Sequence, residues 1–314
     1  MDISVKASYF VIDLILPLVV GYFCRFQNRL GEDFFNRMIV VNILIIYPIL
    51  SVLSFWNMRL DFELIWLPVL GVVMSIIPGL FAFPWAKKKY ADRIDQGSYI
   101  LAAILSNILT LGGLAVFILY GEVGYAYTQL VVLFGNVILF MFCYPLAQYF
   151  YQSGQKESGN KISLISVLFN RNQLPVLGLL FGVILYYSEI PRPAMLGNLF
   201  DPLVHIGAWT ALIPVGYSMD FTEMKKYWRG TADLIFIKFV ATPILTYAFA
   251  KLFISDTVIL NTIIILASTP TAINTVITVK LHNLNINIAM ASFVLTTAVF
   301  LLVVYPIIFV CLSM

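Results

Sequence analysis

The sequence predicts an all-α integral membrane protein with ten transmembrane helices, arranged as two inverted five-helix repeats whose fourth and ninth helices are broken and cross each other. Three observations carry this prediction. Hydrophobic residues make up 61% of the 314 positions and charged residues 11%, against roughly a quarter charged in soluble domains. The apolar runs reach the ~20 residues that a membrane-spanning helix needs. Similar motifs also recur in the two halves of the chain.

Ten apolar segments are long enough to span a bilayer as helices. In chain order, these predicted spans are residues 8–27, 36–55, 64–84, 99–120, 125–148, 165–187, 196–217, 232–253, 258–280 and 287–312. Strands of a membrane barrel are shorter and alternate apolar with polar residues, so a barrel is not expected. No small-residue cleavage site follows the first span, which we therefore expect to be retained.

The positive charges are biased to one side of the predicted membrane. Four of them (Lys6, Arg59, Arg192 and Lys251) lie in connections on one side, 14 lie on the other side, and Lys238 lies within a span. Because positively charged loops stay on the cytoplasmic side, we expect the side with 14 charges to be cytoplasmic and both termini to lie outside. We expect the membrane to be the plasma membrane. The formal net charge of +3 is too small to indicate a nucleic-acid partner.

Short motifs recur in the two halves at an offset of about 160 residues. The pairs are LPLVVGYF (16–23) with LPVLGLLFG (174–182), RLDFELI (59–65) with SMDFTEM (218–224), ILAAILSNILTLGG (100–113) with IIILASTPTAIN (263–274), and CYPLA (143–147) with VYPII (304–308). Each half holds five spans, an odd number, so the second copy is inverted. We expect the repeats at residues 1–150 and 165–314, joined by a short cytoplasmic linker at 151–164.

The ninth span carries polar residues at its centre. Pro270 removes one helical hydrogen bond and clashes with the preceding turn, so the helix is expected to open there. Backbone opened at that depth must face protein or a water-filled cavity. An interrupted membrane helix of this kind is the best sequence indication of a transporter's binding site.

The fourth span has a matching polar segment, in which Gly112 and Gly113 are expected to weaken the helix in place of a proline. Where two interrupted helices cross, their N-termini favour an anion such as a carboxylate. We expect the substrate site to consist of Ser106, Asn107, Thr110, Gly112, Gly113, Thr269, Pro270, Thr271, Asn274 and Thr275. The alternative is that these residues only pack and hydrogen-bond one helix to another.

Four ionisable residues in the spans are candidates for coupling or gating. Lys238 is expected to pair with the substrate or a carboxylate such as Asp233 or Glu122, or to extend its long side chain to the interface, the interpretation we favour. Asp13, Asp201 and His205 are the other candidates. Histidine changes charge near neutral pH, as proton coupling requires, although solvation at the interface is the more ordinary explanation.

The motifs of the interrupted spans resemble those of the auxin efflux carrier family, and the resemblance covers essentially the whole chain. Its most specific piece is ASTPTAINTVITVKLHNLNINIAMASFVLTT at residues 267–297. The segments SNILTLGG at 106–113 and YGEVGYAY at 120–127 are similar to the family's first-half motif.

This resemblance implies that Asn107, Pro270 and Asn274 lie in the substrate site. It also implies that spans 1, 2, 6 and 7 form a scaffold, that spans 3–5 and 8–10 form a moving domain, and that the protein is a homodimer. The short linker resembles that of the bacterial members, which are associated with malate- or malonate-like acids.

The function expected from these observations is transport of a small organic anion, malate-like, malonate-like or auxin-like, by alternating access. A sodium- or proton-coupled carrier of the bile-acid symporter type and a membrane sensor that does not transport are the alternatives. An enzyme is not expected, because the spans hold no HExxH motif and no paired nucleophile and base. Cys24, Cys143 and Cys311 lie far apart, so no disulfide, metal site or cofactor is indicated.

Overall fold

The computed structural model describes residues 3–27, 30–59, 61–154 and 174–313. Throughout these ranges the regular structure is helical, without a strand. The helices are α1 (Ser4–Cys24), α2 (Glu32–Trp56), α3 (Phe62–Lys89), α4 (Arg93–Ile104), α5 (residues 108–120), α6 (122–153), α7 (Leu174–Tyr187), α8 (Ala194–Ser218), α9 (Phe221–Thr231), α10 (Leu234–Ala250), α11 (Thr257–Ala267), α12 (Ile273–Leu281) and α13 (Ile286–Leu312). The predicted linker beyond residue 154 and the first part of the sixth predicted span lie outside the described residues.

Six helical stretches of the described chain are long and apolar enough to cross a membrane, and one of them, Ile108–Ser153, is interrupted at Gly121. They are Ser4–Cys24, Glu32–Trp56, Phe62–Lys89, Ile108–Ser153, Ala194–Ser218 and Ile286–Leu312. Shorter apolar helices are Leu174–Tyr187, Leu234–Ala250 and Thr257–Ala267. The chain is therefore an all-α protein with several helices of membrane-spanning length and composition.

Side-chain caps determine where several helices begin. Asp92 accepts a hydrogen bond from Ile94 N at 3.0 Å at the start of α4, and Asp256 accepts one from Ile259 N at 2.8 Å at the start of α11. At the start of α13, Asn285 caps the helix in the same way. Each cap satisfies one of the amide groups that a helix leaves unpaired in its first turn.

The boundary between α5 and α6 is a kink at Gly121. Its φ of 62° and ψ of −149° are not helical, and a φ in this range strongly favours glycine. A single non-helical residue therefore separates α5 from α6.

The helical region that precedes Lys238 is longer than the sequence suggested. The eighth span was predicted to begin at residue 232, but α9 begins at Phe221 and is separated from α10 only by a turn at 232–233. Residues 221–231 are rich in polar and charged side chains, so hydropathy did not include them. Their helix packs along α13, and Lys238 lies 17 residues beyond its first residue.

Two helix pairs approach each other backbone to backbone. A Cβ atom at Gly216 of α8 would lie 2.1 Å from Leu18 O of α1, and one at Gly178 of α7 would lie 2.5 Å from Pro48 O of α2. Only glycine permits this distance, which membrane helices use for close packing. The pairs α1–α8 and α2–α7 are consequently among the most tightly packed of the described helices.

Candidate functional site

The chain leaves the helical conformation between α4 and α5 and again between α11 and α12. We name residues 105–107 the first interruption and residues 268–272 the second interruption. The two segments pair as an antiparallel bridge in which Ser106 lies opposite Thr271. Asn107 N donates to Pro270 O at 2.8 Å, and Ala272 N donates to Leu105 O at 2.9 Å. Each interruption therefore satisfies backbone groups of the other.

The second interruption is explained by its proline. In a continuous helix Leu266 O would accept a hydrogen bond from residue 270, but Pro270 has no amide hydrogen. The hydroxyl of Thr269 replaces the missing amide, since Thr269 Oγ1 donates to Leu266 O at 2.7 Å. Thr271 then ties the open segment to two other helices: its Oγ1 donates to Ala102 O at 2.8 Å, and its N donates to Thr296 Oγ1 at 3.0 Å.

The first interruption lies five residues before the glycines that were expected to cause it. Asn107 is the N-cap of α5, because its Oδ1 accepts from Leu111 N at 3.4 Å. Asparagine favours such caps over the helix interior. Gly112 and Gly113 lie inside the helical region, so the expected weakening of the helix at these residues is wrong.

Gly112 contributes to packing between the two interrupted helices. A Cβ atom at this position would approach Thr269 Cγ2 to 2.7 Å and Leu266 Cδ2 to 2.9 Å. These contacts are shorter than van der Waals distances, so α5 and the end of α11 come together only because residue 112 has no side chain.

Lys238 reaches the first interruption from α10. It is 1% exposed, and its Nζ donates to Ser106 Oγ at 2.8 Å. The interpretation that its side chain extends to the interface is therefore wrong. Pairing with a carboxylate is wrong as well, because Asp233 pairs with Lys89 at 2.8 Å and Glu122 pairs with Arg192.

The other ionisable candidates lie at the contact between α1 and α8. His205 Nδ1 is 2.7 Å from Asp13 Oδ2, and Asp13 is 5% exposed. The imidazole packs against the ring of Tyr9 and edge-on against Phe117 of α5. Asp201, one helical turn from His205, is exposed. The sequence placed Asp201 next to His205, but the structure pairs His205 with Asp13 on a different helix.

A cavity of about 340 Å³ lies against both interruptions. Of the ten residues expected in the substrate site, Ser106, Asn107, Thr110 and Asn274 line it. Gly112, Gly113, Thr269, Pro270, Thr271 and Thr275 are buried behind the cavity wall. Described side chains in the cavity wall include no aspartate, glutamate, lysine, arginine or histidine, so its polarity comes from amides and hydroxyls.

Sequence reasoning missed several polar residues of the cavity wall, above all Asn42 of α2 and Gln129 of α6. Asn42 Nδ2 donates to Gly207 O at 3.2 Å and to Thr210 Oγ1 at 2.6 Å on α8. An amide side chain in an otherwise apolar span is costly to bury unpaired. The presence of an amide side chain in each of these apolar spans was therefore the feature of the sequence that could have identified Asn42 and Gln129.

A family model described as membrane transport protein matches residues 7–308. The chain belongs to this family, which is that of the auxin efflux carriers. It is thus a multi-pass membrane transport protein, and the resemblance seen in its motifs is confirmed. A comparison with curated proteins finds no match.

Replacement of Gly112 by alanine tests the close packing at the interruptions of this transporter. We expect Gly112→Ala to lower the free energy of unfolding by about 1–3 kcal/mol, as overpacking of a filled site does, measured by thermal or denaturant unfolding in detergent. Gly135→Ala is the matched control, because the nearest atom to its new Cβ is 4.0 Å away. Equal stability of the two variants would contradict this role of Gly112.

Proposed function

We propose that the protein is a secondary carrier that moves a small organic anion across the membrane by alternating access. The observation that carries the proposal is Asn107, which caps α5, lines the cavity and keeps its Nδ2 without a partner among the described residues. The acid group of the substrate binds at this helix end, where the amide of Asn107 donates to it.

The electrostatics at the first interruption favour a negative charge. The N-terminus of α5 carries the positive end of the helix dipole. Lys238 adds an ammonium group one hydrogen bond away, through Ser106. A cation buried without a carboxylate is costly, and a bound anion nearby offsets this cost. Since the described side chains of the cavity wall carry no charge and Lys238 behind it supplies one, we propose a substrate with a single negative charge in preference to a dicarboxylate.

For the architecture we propose ten membrane helices in two inverted repeats, residues 1–150 and 165–314. In this scheme α1, α2, α7 and α8 form the scaffold, and the remaining helices form the moving domain. The glycine-mediated pairs α1–α8 and α2–α7 support a rigid scaffold, because backbone contact leaves little freedom to slide. A homodimer in the plasma membrane, with both termini outside, remains part of the proposal.

We propose that the cavity opens on the positively charged side. Its wall includes Ile39 and Ile277, which lie a few residues from Arg37 and Lys280. On the opposite side Arg192, in the loop before α8, bonds to Leu53 O at 2.8 Å and pairs with Glu122 at the start of α6. This ion pair joins the scaffold to the moving domain and closes the outer path.

Coupling to protons is the alternative with a specific structural basis. The Asp13–His205 pair lies within the scaffold and contacts Phe117 of α5. A change of its charge therefore alters a contact between the scaffold and the interrupted helix.

Counterflow into proteoliposomes tests the carrier proposal. We expect labelled monocarboxylates to accumulate in vesicles preloaded with unlabelled acid, ahead of malate or malonate, and Asn107→Ala/Asn274→Ala to lose this uptake. Asn198→Ala is the control, because Asn198 is exposed and outside the cavity wall. Binding of acids without exchange would instead identify a sensor, and dicarboxylates ahead of monocarboxylates would refute the single charge.

Lys238→Met tests whether the positive charge of Lys238 favours the bound anion, because methionine keeps the approximate length of the side chain and removes the ammonium. We expect anion uptake to fall by about tenfold or more, the usual effect of losing a favourable contact with a charged group. Lys251→Met, at the exposed end of the same helix, should transport like the wild type. Undiminished uptake by Lys238→Met would rule out the role.

Reversing the charges of Arg192 and Glu122 tests whether their ion pair closes the outer path. Arg192→Glu and Glu122→Arg each place like charges together, so we expect the exchange rate to change several-fold in both single variants. The double variant restores the opposite-charge pair, and its rate should return toward that of the wild type. Additive effects in the double variant would show that the two residues do not act as a pair.

A further inference from the structure

A second, smaller cavity lies next to the cavity at the interruptions. Its volume is about 10 Å³, close to the smallest space that holds a water molecule. Residues of α2, α5, α6 and α8 line it. Five residues line both cavities: Tyr47, Leu109, Thr110, Tyr125 and Ala211. They therefore lie between the two cavities, and we name them the dividing wall.

The second cavity lies on the side of the dividing wall that faces the Arg192–Glu122 ion pair. Arg192 precedes α8, and along α8 the cavity at the interruptions begins only at Ala211, whereas the second cavity begins earlier, at Val204. Tyr125, which both cavities share, lies one helical turn after Glu122 on α6. The cavity at the interruptions, the second cavity and the outer ion pair therefore follow one another along α8.

Small residues make up much of the α8 wall of the second cavity. This wall consists of Val204, Gly207, Ala208 and Ala211, whose spacing of three and four residues places them on one face of the helix. Bulky side chains on this face would fill the space between α8 and the helices opposite. Because Gly207 and the two alanines do not, separation of α8 from α5 opens a path between the proposed scaffold and the moving domain.

Three aromatic rings hold these two parts of the protein together at the dividing wall. The ring of Tyr125 on α6 packs edge-on against that of Phe200 on α8, with centroids 5.9 Å apart. The ring centroid of Phe117, on α5, lies 6.5 Å from that of Tyr125 and 6.0 Å from that of Phe200. Such ring pairs stabilise a contact beyond the area they bury. Tyr125 belongs to the dividing wall, so its contact with Phe200 keeps the wall closed.

We infer that the transported anion leaves the cavity at the interruptions through the dividing wall and the second cavity, and that Tyr125 gates this passage. The inference rests on the proposed function, since it takes the protein to be an alternating-access carrier. The passage is closed in this structure, where Tyr125 is 2% exposed and Ala208 1%. Ala208 therefore meets water only in a conformation in which α8 has separated from α5 and α6.

The reactivity of introduced cysteines during transport tests the passage. Ala208→Cys places a thiol in the α8 wall of the second cavity, and Leu50→Cys places one in its α2 wall. Proteoliposomes receive a charged, membrane-impermeant thiosulfonate with or without counterflow of a monocarboxylate. Mass spectrometry of the cysteine peptides measures each introduced thiol separately from Cys24, Cys143 and Cys311. We expect both thiols to react at least about tenfold faster during counterflow, because a buried thiol is inert and an exposed one is not.

Ala126→Cys is the matched control for these two variants. Ala126 is 1% exposed, like Ala208, and lies next to Tyr125 on α6, but it lines neither cavity. Its thiol should react equally slowly with and without counterflow. Acceleration at all three positions would show a general loosening of the protein and would overturn the passage.

Two substitutions of Tyr125 test its role as the gate. Tyr125→Leu removes the ring that packs against Phe200, whereas Tyr125→Phe keeps it. Combined with Ala208→Cys, Tyr125→Leu should raise the thiol reaction rate without counterflow by about two- to tenfold, the effect of losing one aromatic pair. Tyr125→Phe should leave this rate as it is in Ala208→Cys alone. Equal rates in the two double variants would show that Tyr125 is not the gate.

The outcomes separate this inference from the proposed function. Thiol reaction at residues 50 and 208 that is unchanged by counterflow, in protein that exchanges acids, overturns the passage and leaves the carrier proposal intact. Absence of exchange for every acid, in protein shown to be folded, overturns the carrier proposal and the inference with it.

Discussion

The arrangement of the site depends on one constraint: backbone groups opened inside a membrane must find partners within the protein. The two interruptions meet this constraint by bonding to each other, through Asn107 N and Pro270 O and through Ala272 N and Leu105 O. Thr271 extends the arrangement to α4 and α13. The ends of α5 and α12 are consequently held in fixed positions, which gives the helix N-terminus a defined direction toward the cavity.

The bridge makes the two interruptions equivalent in the backbone but not in their side chains. Asn107 caps α5, whereas Ala272 stands at the same place before α12 and has no side chain that caps. Lys238 reaches Ser106 of the first interruption, and the opposing Thr271 bonds to a carbonyl. The unpaired Nδ2 of Asn107 and the Nζ of Lys238 are therefore both at the first interruption, which is why we propose that the acid group binds there.

The sequence was informative where one residue has a strong local effect. Pro270 breaks its helix by its covalent structure, and the second interruption lies where the sequence placed it. The first interruption depends on the capping preference of Asn107, which is a weaker effect. Because Gly112 and Gly113 are the more conspicuous residues, the prediction placed this interruption five residues too late in the chain. Gly112 lies in this region, where it makes room for Thr269 and Leu266, and that contact exists only in the folded protein.

Tertiary contacts account for what the sequence did not predict. Lys238 is buried by its contact with Ser106, 132 residues earlier in the chain, and no pattern in the sequence shows this pairing. Asn42 and Gln129 are single amides in apolar helices, and no pattern in the sequence shows that they share a cavity. The partner of His205 is likewise on a helix far away in the chain.

Four polar residues inside the apolar helices lie in or next to turns of π-helix. Asn42 begins one such turn, Asn107 immediately precedes another, and Lys238 and Asp13 lie within two more. A π-turn adds a residue to the helical turn and interrupts the regular hydrogen bonding, and it occurs often at functional sites. The wider turn gives a polar side chain room and direction inside an apolar helix. Asn42, Asn107, Lys238 and Asp13 thus lie at or next to the points where their helices depart from regular geometry.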